Sequence, residues 1–182
     1  MNYTYTKKEK EAYKAIDSIE KLRKKLSNDL RPYECRTLVK SIEGERWAYV
    51  TNGFYMLKTK LFVDVADGVY KILTGKNEIN LVFDECQYPD VSSIENSCDG
   101  YSDLKVFECK SKEKEENESH AFCQIVRELK DEDLNFNLFS PVFNFADFGY
   151  YQICEDGKKP IKLIDSEIEA HNIAYIMPMR RN

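Results

Sequence analysis

The chain is 182 residues long, 42% hydrophobic and 32% charged, with only 7 glycines and 5 prolines. That length carries one domain with a real core or two very small ones, and the composition excludes general disorder. The formal net charge of −5 is uneven: residues 1–40 hold 11 Lys/Arg against 6 Asp/Glu, and the remainder holds 16 against 26. A basic segment on an acidic body suits a surface that meets a polyanion while the rest repels it, although a solvated lysine-rich helix has the same composition.

The chain opens with Tyr3 and Tyr5 alternating with polar residues, which predicts a short half-buried strand. Thr6 and Glu9 fit a capping box, with the threonine hydroxyl on an orphan amide and the glutamate reaching back. A helix to about Ser27 follows. Ala12, Tyr13, Ala15, Ile16, Ile19, Leu22 and Leu26 share one face, and Lys7, Lys10, Lys14, Lys21, Lys24 and Lys25 take the other. Pro32 ends it. No stretch approaches the roughly 20 apolar residues of a membrane span, and the first residues lack the apolar core of a signal peptide. These features point to a cytoplasmic protein without a membrane partner.

From Arg36 the rhythm becomes that of an antiparallel meander. β-rich runs are separated by turns at Gly44, Asn52-Gly53, Asp67-Gly68 and Gly75. Residues 84–103 read as loop and 104–110 as a strand. Residues 110–119 form a charged run without an apolar stripe, expected as a mobile exposed loop or a solvated first helical turn. Phe122, Ile125, Val126 and Leu129 have helical spacing, and 135–139 reads as strand. Residues 140–151 stay open between helix and strand. Residues 153–165 read as strand, Asp-Gly turn, strand. The last strand, residues 173–177, is apolar on both faces, as inside a sheet. Pro178 stops it and delivers Met179 and Arg180 at the sheet's end. The pattern is α+β, in one domain of two loosely similar halves, 1–95 and 96–182.

Chemistry is sparse. Cys35, Cys86, Cys98, Cys109, Cys123 and Cys154 form no CxxC pair, so free thiols are expected in place of a metal site or disulfides. His120 and His171 stand apart, with no nucleophile elbow, phosphate loop or zinc motif beside them. The acid pairs Asp84-Glu85 and Glu155-Asp156 fall in turns, where acids serve the backbone. Neither an enzyme nor a cofactor is indicated.

Four segments together resemble the bacterial sliding clamp, the beta subunit of DNA polymerase III, and its phage relatives. They are Tyr175–Arg180 (YIMPMR), Val50–Leu57 (VTNGFYML), Tyr88–Ile94 (YPDVSSI) and Asp156–Asp165 (DGKKPIKLID). Asn52 stands where the family has an acid, Phe54-Tyr55 where it has His-Arg, and Ser92-Ser93 where arginines are common. The family carries three such domains per chain, so the resemblance implies a minimal, single clamp domain.

The resemblance further implies two βαβββ halves, antiparallel sheets backed by helices, and a non-catalytic processivity factor that binds double-stranded DNA without reading sequence. The DNA-facing residues would be Lys7, Lys10, Lys14, Lys21, Arg23, Lys24 and Lys25. A peptide pocket for short linear motifs of polymerase or other replication proteins would use Thr51, Gly53, Phe54, Met56, Pro89, Ile94, Met177, Pro178, Met179 and Arg180. A homo-oligomeric ring is expected if DNA is encircled. The alternative is a clamp-fold modulator or decoy of host replication that binds only proteins.

Overall fold

The computed structural model describes residues 2–27, 31–97, 100–108, 113–129, 134, 136–154 and 159–177. Internal contacts divide the chain into two units, Met1–Asn52 with Met56–Pro89 and Gly53–Tyr55 with Asp90–Asn182.

In the first unit, β1 (Asn2–Thr6) leads into α1 (Lys10–Leu26). After a 3-10 turn at Pro32–Cys35 come β2 (Thr37–Ile42), β3 (Glu45–Thr51), β4 (Tyr55–Leu61), β5 (Gly68–Thr74) and β6 (Glu78–Asp84). The order across the sheet is β1-β6-β5-β2-β3-β4, every pair antiparallel. Register follows the apolar alternation: Tyr5 faces Ile79, Ile72 faces Leu81, Val39 faces Ala48 and Val50 faces Leu57. All eight are buried. Helix α1 lays Ala12, Ile16, Ile19, Leu22 and Leu26 against β1, β3 and β6. Burying such side chains stabilises by about 1.5–3 kcal/mol for each large one.

Local chemistry sets the turns. Glu43 (φ 52°) and Gly44 (φ 84°) both adopt left-handed backbone, as a two-residue hairpin turn between right-twisted strands demands. The expected capping box is only half present. The Glu9 carboxylate accepts from the Thr6 amide at 2.9 Å, but the Thr6 hydroxyl donates to that same carboxylate at 3.2 Å and leaves the helix amides alone. At the far end of α1 the Asn52 amide donates to the Leu26 carbonyl at 3.0 Å. A carboxylate could not donate there, which explains an amide at that position.

The second unit contains α2 (Val91–Asn96), β7 (Lys105–Val106), α3 (Lys114–Leu129), α4 (Phe136–Phe143), β8 (Tyr150–Gln152), β9 (Ile161–Ile164) and β10 (Asn172–Ile176). Its strands run β10-β9-β8-β7, again antiparallel. Each unit therefore holds a strand, a helix and at least three further strands. The fold is α+β, antiparallel sheet backed by helices.

Four sequence expectations are corrected or settled here. Residues 91–94 are helical, because the Asp90 carboxylate accepts the Ser92 amide at 3.0 Å and starts a helix too short to show periodicity. Residues 114–119, expected as charged loop or a solvated first helical turn, are the first turns of α3, where Glu115 and Glu116 offset the helix dipole; residues 110–112 lie outside the described residues. Residues 136–139 are helix and not strand. Phe136 and Phe139 both meet Phe122 of α3 edge-on, at 5.1 and 5.5 Å, which only helical spacing allows. Of the strand expected over 104–110, residues 109–110 lie outside the described residues, and the described ones form strand at Lys105–Val106. Beyond it, the Phe107 amide goes to the Gly149 carbonyl at 3.0 Å. The Gln124 side chain accepts from Glu108 N at 3.1 Å and donates to Val106 O at 3.2 Å, standing in for a strand partner.

Candidate functional site

Helix α1 is the first candidate surface. Its apolar residues are seated on the sheet, which forces the opposite face outward. Lys10, Lys14, Lys21, Lys24 and Lys25 are all exposed there, at the three- and four-residue spacings that make a stripe. Two of these lysines already hold partners on the same helix. Lys21 Nζ is 2.5 Å from Asp17, which raises its pKa above the usual lysine value, and Lys24 Nζ is 3.2 Å from Glu20.

Arg23 lies off the stripe. Its guanidinium makes a bidentate pair with Glu20, Nε at 2.7 Å and Nη2 at 2.9 Å, and Nη1 donates to the Glu34 carbonyl at 3.4 Å. Glu20 is only 2% exposed. A buried carboxylate needs a bound cation, and Arg23 supplies it from within the packed side of the helix while Lys24 reaches it from the exposed side. Lys7 precedes the helix, in the turn after β1, where its amide donates to Asn77 O at 3.2 Å.

The residues expected to form a peptide pocket divide into two groups. In the first unit Thr51 and Met56 face each other across β3 and β4, and both are buried, Met56 at 0% exposure. Met56 is therefore a core side chain and not a pocket wall. Pro89 is half-buried. It follows Tyr88, whose hydroxyl donates to the Tyr49 carbonyl at 3.0 Å and whose pKa burial pushes up. Nothing in the local pattern marks Tyr88 beyond its neighbouring proline.

In the second unit the pieces meet more closely. Gly53 (φ 87°) is the left-handed turn residue that presents Phe54, which is 46% exposed. The Met177 amide, just past β10, donates to the Phe54 carbonyl at 2.7 Å. Ile94 is half-buried on α2. One backbone hydrogen bond thus holds the segment that carries an exposed aromatic ring beside the segment that carries a methionine. Pro178, Met179 and Arg180 lie outside the described residues.

Among the described residues no cluster of His, Cys, Asp and Glu is placed to hold a metal ion. Cys35, Cys86, Cys123 and Cys154 are free thiols. No described helix is long and apolar enough to cross a membrane.

No protein-family model matches the sequence, and no curated protein matches it. The structure does have counterparts. The DNA polymerase III subunit beta of Borrelia burgdorferi, solved in complex with a natural product, matches with a TM-score of 0.59 at 12% identity, over 100% of this chain and 65% of the other. The beta subunit from DNA polymerase of Streptococcus pyogenes matches with a TM-score of 0.59 at 10% identity, over 100% and 66%. The DNA polymerase sliding clamp of Pseudomonas aeruginosa matches with a TM-score of 0.54 at 10% identity, over 100% and 67%. The chain spans about two thirds of the length of these proteins and has their fold.

Proposed function

Because the chain has the sliding-clamp fold, we propose that it is a non-catalytic tether that holds replication proteins on double-stranded DNA. The observation that carries this reading is the exposed lysine stripe of α1 on an otherwise acidic molecule. Phosphates attract such a stripe through charge alone, which needs no base contact and so does not pin it to one sequence. The DNA-facing set is Lys10, Lys14, Lys21, Lys24 and Lys25, with Arg23 reserved for Glu20. Client peptides dock beside Phe54, Gly53, Ile94 and Met177, with Pro178, Met179 and Arg180 completing the site. In this reading copies assemble head to tail into a ring through heterologous interfaces whose rotation closes.

The test is retention on nicked circular duplex DNA before and after linearisation, repeated across salt. Tethering by a ring predicts retention on the circle and loss on cutting. Reversing Lys14, Lys21 and Lys25 to Glu lowers the slope of log affinity against log salt by about one unit for each phosphate contact removed. Salt-independent absence of binding overturns the DNA reading. A second reading then applies, a clamp-fold modulator that binds replication proteins alone. The carboxylates already paired with Lys21 and Lys24 favour it.

A further inference from the structure

The β9–β10 connection carries Ile168 at 97% exposure, between Glu167 and Glu169, which are also exposed. A single apolar residue at a surface needs no explanation. This one is held in place. The Asp165 carboxylate accepts from the His171 amide at 3.0 Å, the Asn172 amide at 3.0 Å and the Asn172 side chain at 2.8 Å. The Ser166 hydroxyl oxygen accepts the Glu169 amide at 3.4 Å, and His171 Nε2 lies 3.5 Å from the Glu169 carboxylate. The base of the loop is pinned, and the tip offers a branched apolar side chain flanked by negative charge.

A feature of opposite character lies on the first unit. The turn after β1 and the turn between β5 and β6, joined by the Lys7–Asn77 hydrogen bond, border an open cavity of about 590 Å³ lined by Thr6, Lys7, Lys8, Lys76, Asn77 and Glu78. Lys7, Lys8 and Lys76 make no ion pair with any described residue. Lysine side chains bring aliphatic stems as well as ammonium groups to such a lining. Glu78 is the one acid in the lining.

We infer that the Ile168 tip of one copy seats in this lysine-lined cavity of a second copy. Ile168 lies among the lysine stems, and Glu167 and Glu169 meet Lys7, Lys8 and Lys76. The two surfaces differ, so a contact made once between each pair of copies is head to tail and propagates around a closed assembly or along an open one. It deepens the ring reading by naming the surfaces that join the copies, and it rests on that reading only for the number of copies. One such contact is small, so its occupancy depends on concentration and on repetition around the assembly.

The experiment uses the full chain without DNA. A diazirine-bearing aliphatic residue replaces Ile168, and isotopically heavy and light copies are mixed, irradiated and digested. The expected result is heavy–light adducts from position 168 to peptides containing residues 6–8 or 76–78. They weaken at least severalfold in 0.5 M salt or with Lys76→Glu, and return when Lys76→Glu is paired with copies carrying Glu167→Lys and Glu169→Lys. Ile168→Ser, in an exposed loop where folding is checked by circular dichroism, weakens self-association in sedimentation about tenfold. Adducts confined within one chain, adducts elsewhere, or adducts indifferent to charge reversal overturn the contact. Adducts with no DNA retention uphold the contact and overturn only the DNA reading. DNA retention without adducts does the reverse.

Discussion

In the first unit five of the six strands run six or seven residues, and neighbours are joined by continuous main-chain ladders. In the second the strands run two to five residues, and side chains complete what the ladders leave open. Gln124 substitutes for a strand beside β7. Glu128 binds both Lys105 and the Tyr151 hydroxyl, tying α3 to β7 and β8. Aromatic rings run in unbroken contact from Phe122 through Phe139, Phe143 and Phe107 to Tyr151. A sheet held by backbone bonds tolerates side-chain change at its surface. A unit held by ring stacking and side-chain amides concentrates its stability in a few residues.

That contrast is broken most directly at Phe139, which is fully buried and stacked 5.2 Å from Phe143. Phe139→Ala is expected to cost about 3–5 kcal/mol. Hydrogen-exchange protection should fall first in α3, α4 and β8 and leave β2–β6 protected. Equal loss across the chain would show that the two units unfold as one.

In the first unit, Asn52→Asp removes the buried donor to Leu26 O and sets a negative charge at the C-terminal end of α1. The expected loss is about 2 kcal/mol in denaturant unfolding. Asn52→Gln, which keeps a donor, should recover part of it. An unchanged midpoint for the aspartate variant would remove the amide from its structural role.

Acid pH should strain both units. Arg36 at 2.7 Å and the Cys86 amide hold the Asp84 carboxyl below the usual carboxylate range, and the Ser41 hydroxyl does the same for Asp67. Burial works against the Glu128 carboxylate, yet Lys105 and Tyr151 bring its pKa below normal. A depressed carboxyl contributes stability that is complete above its unfolded value, near 4, and is lost as pH falls through the folded value. Thermal midpoints should therefore be flat down to about pH 5 and fall below about pH 4. Asp84→Asn should lower the plateau and shallow the fall. A midpoint that rises on acidification would contradict all three assignments.

The smallest expected effect is at the β2–β3 turn. Glu43 holds φ 52° without being glycine or asparagine, a conformation that costs a side-chain-bearing residue about 1 kcal/mol. Glu43→Asn should stabilise by a few tenths of a kcal/mol and leave the second unit's exchange unchanged.

Local pattern alone was enough for the helix of the first unit and for the order of its strands along the chain. The meander of β2–β6 was legible because β-rich runs are separated by turns that carry Gly, Asn or Asp. Helix α1 was legible because its apolar residues repeat at one spacing and its lysines at the complementary one. The same periodicity placed the lysine stripe before any fold was known, since a helix that buries one face must expose the other.

Tertiary structure alone decided the rest. Phenylalanine-rich residues 136–143 satisfy either period, and contact with Phe122 and Phe107 made them helical. Residues 91–96 are too few for a period, and one side-chain cap set them. Arg23 counts as one more basic residue in the sequence, but a buried Glu20 claims it. The clamp resemblance assigns Met56 to a pocket wall, and the sheet covers it completely. Periodicity reports which face of an element is wet. Which partner a charge or a ring meets depends on residues distant in the chain, and only packing brings those together.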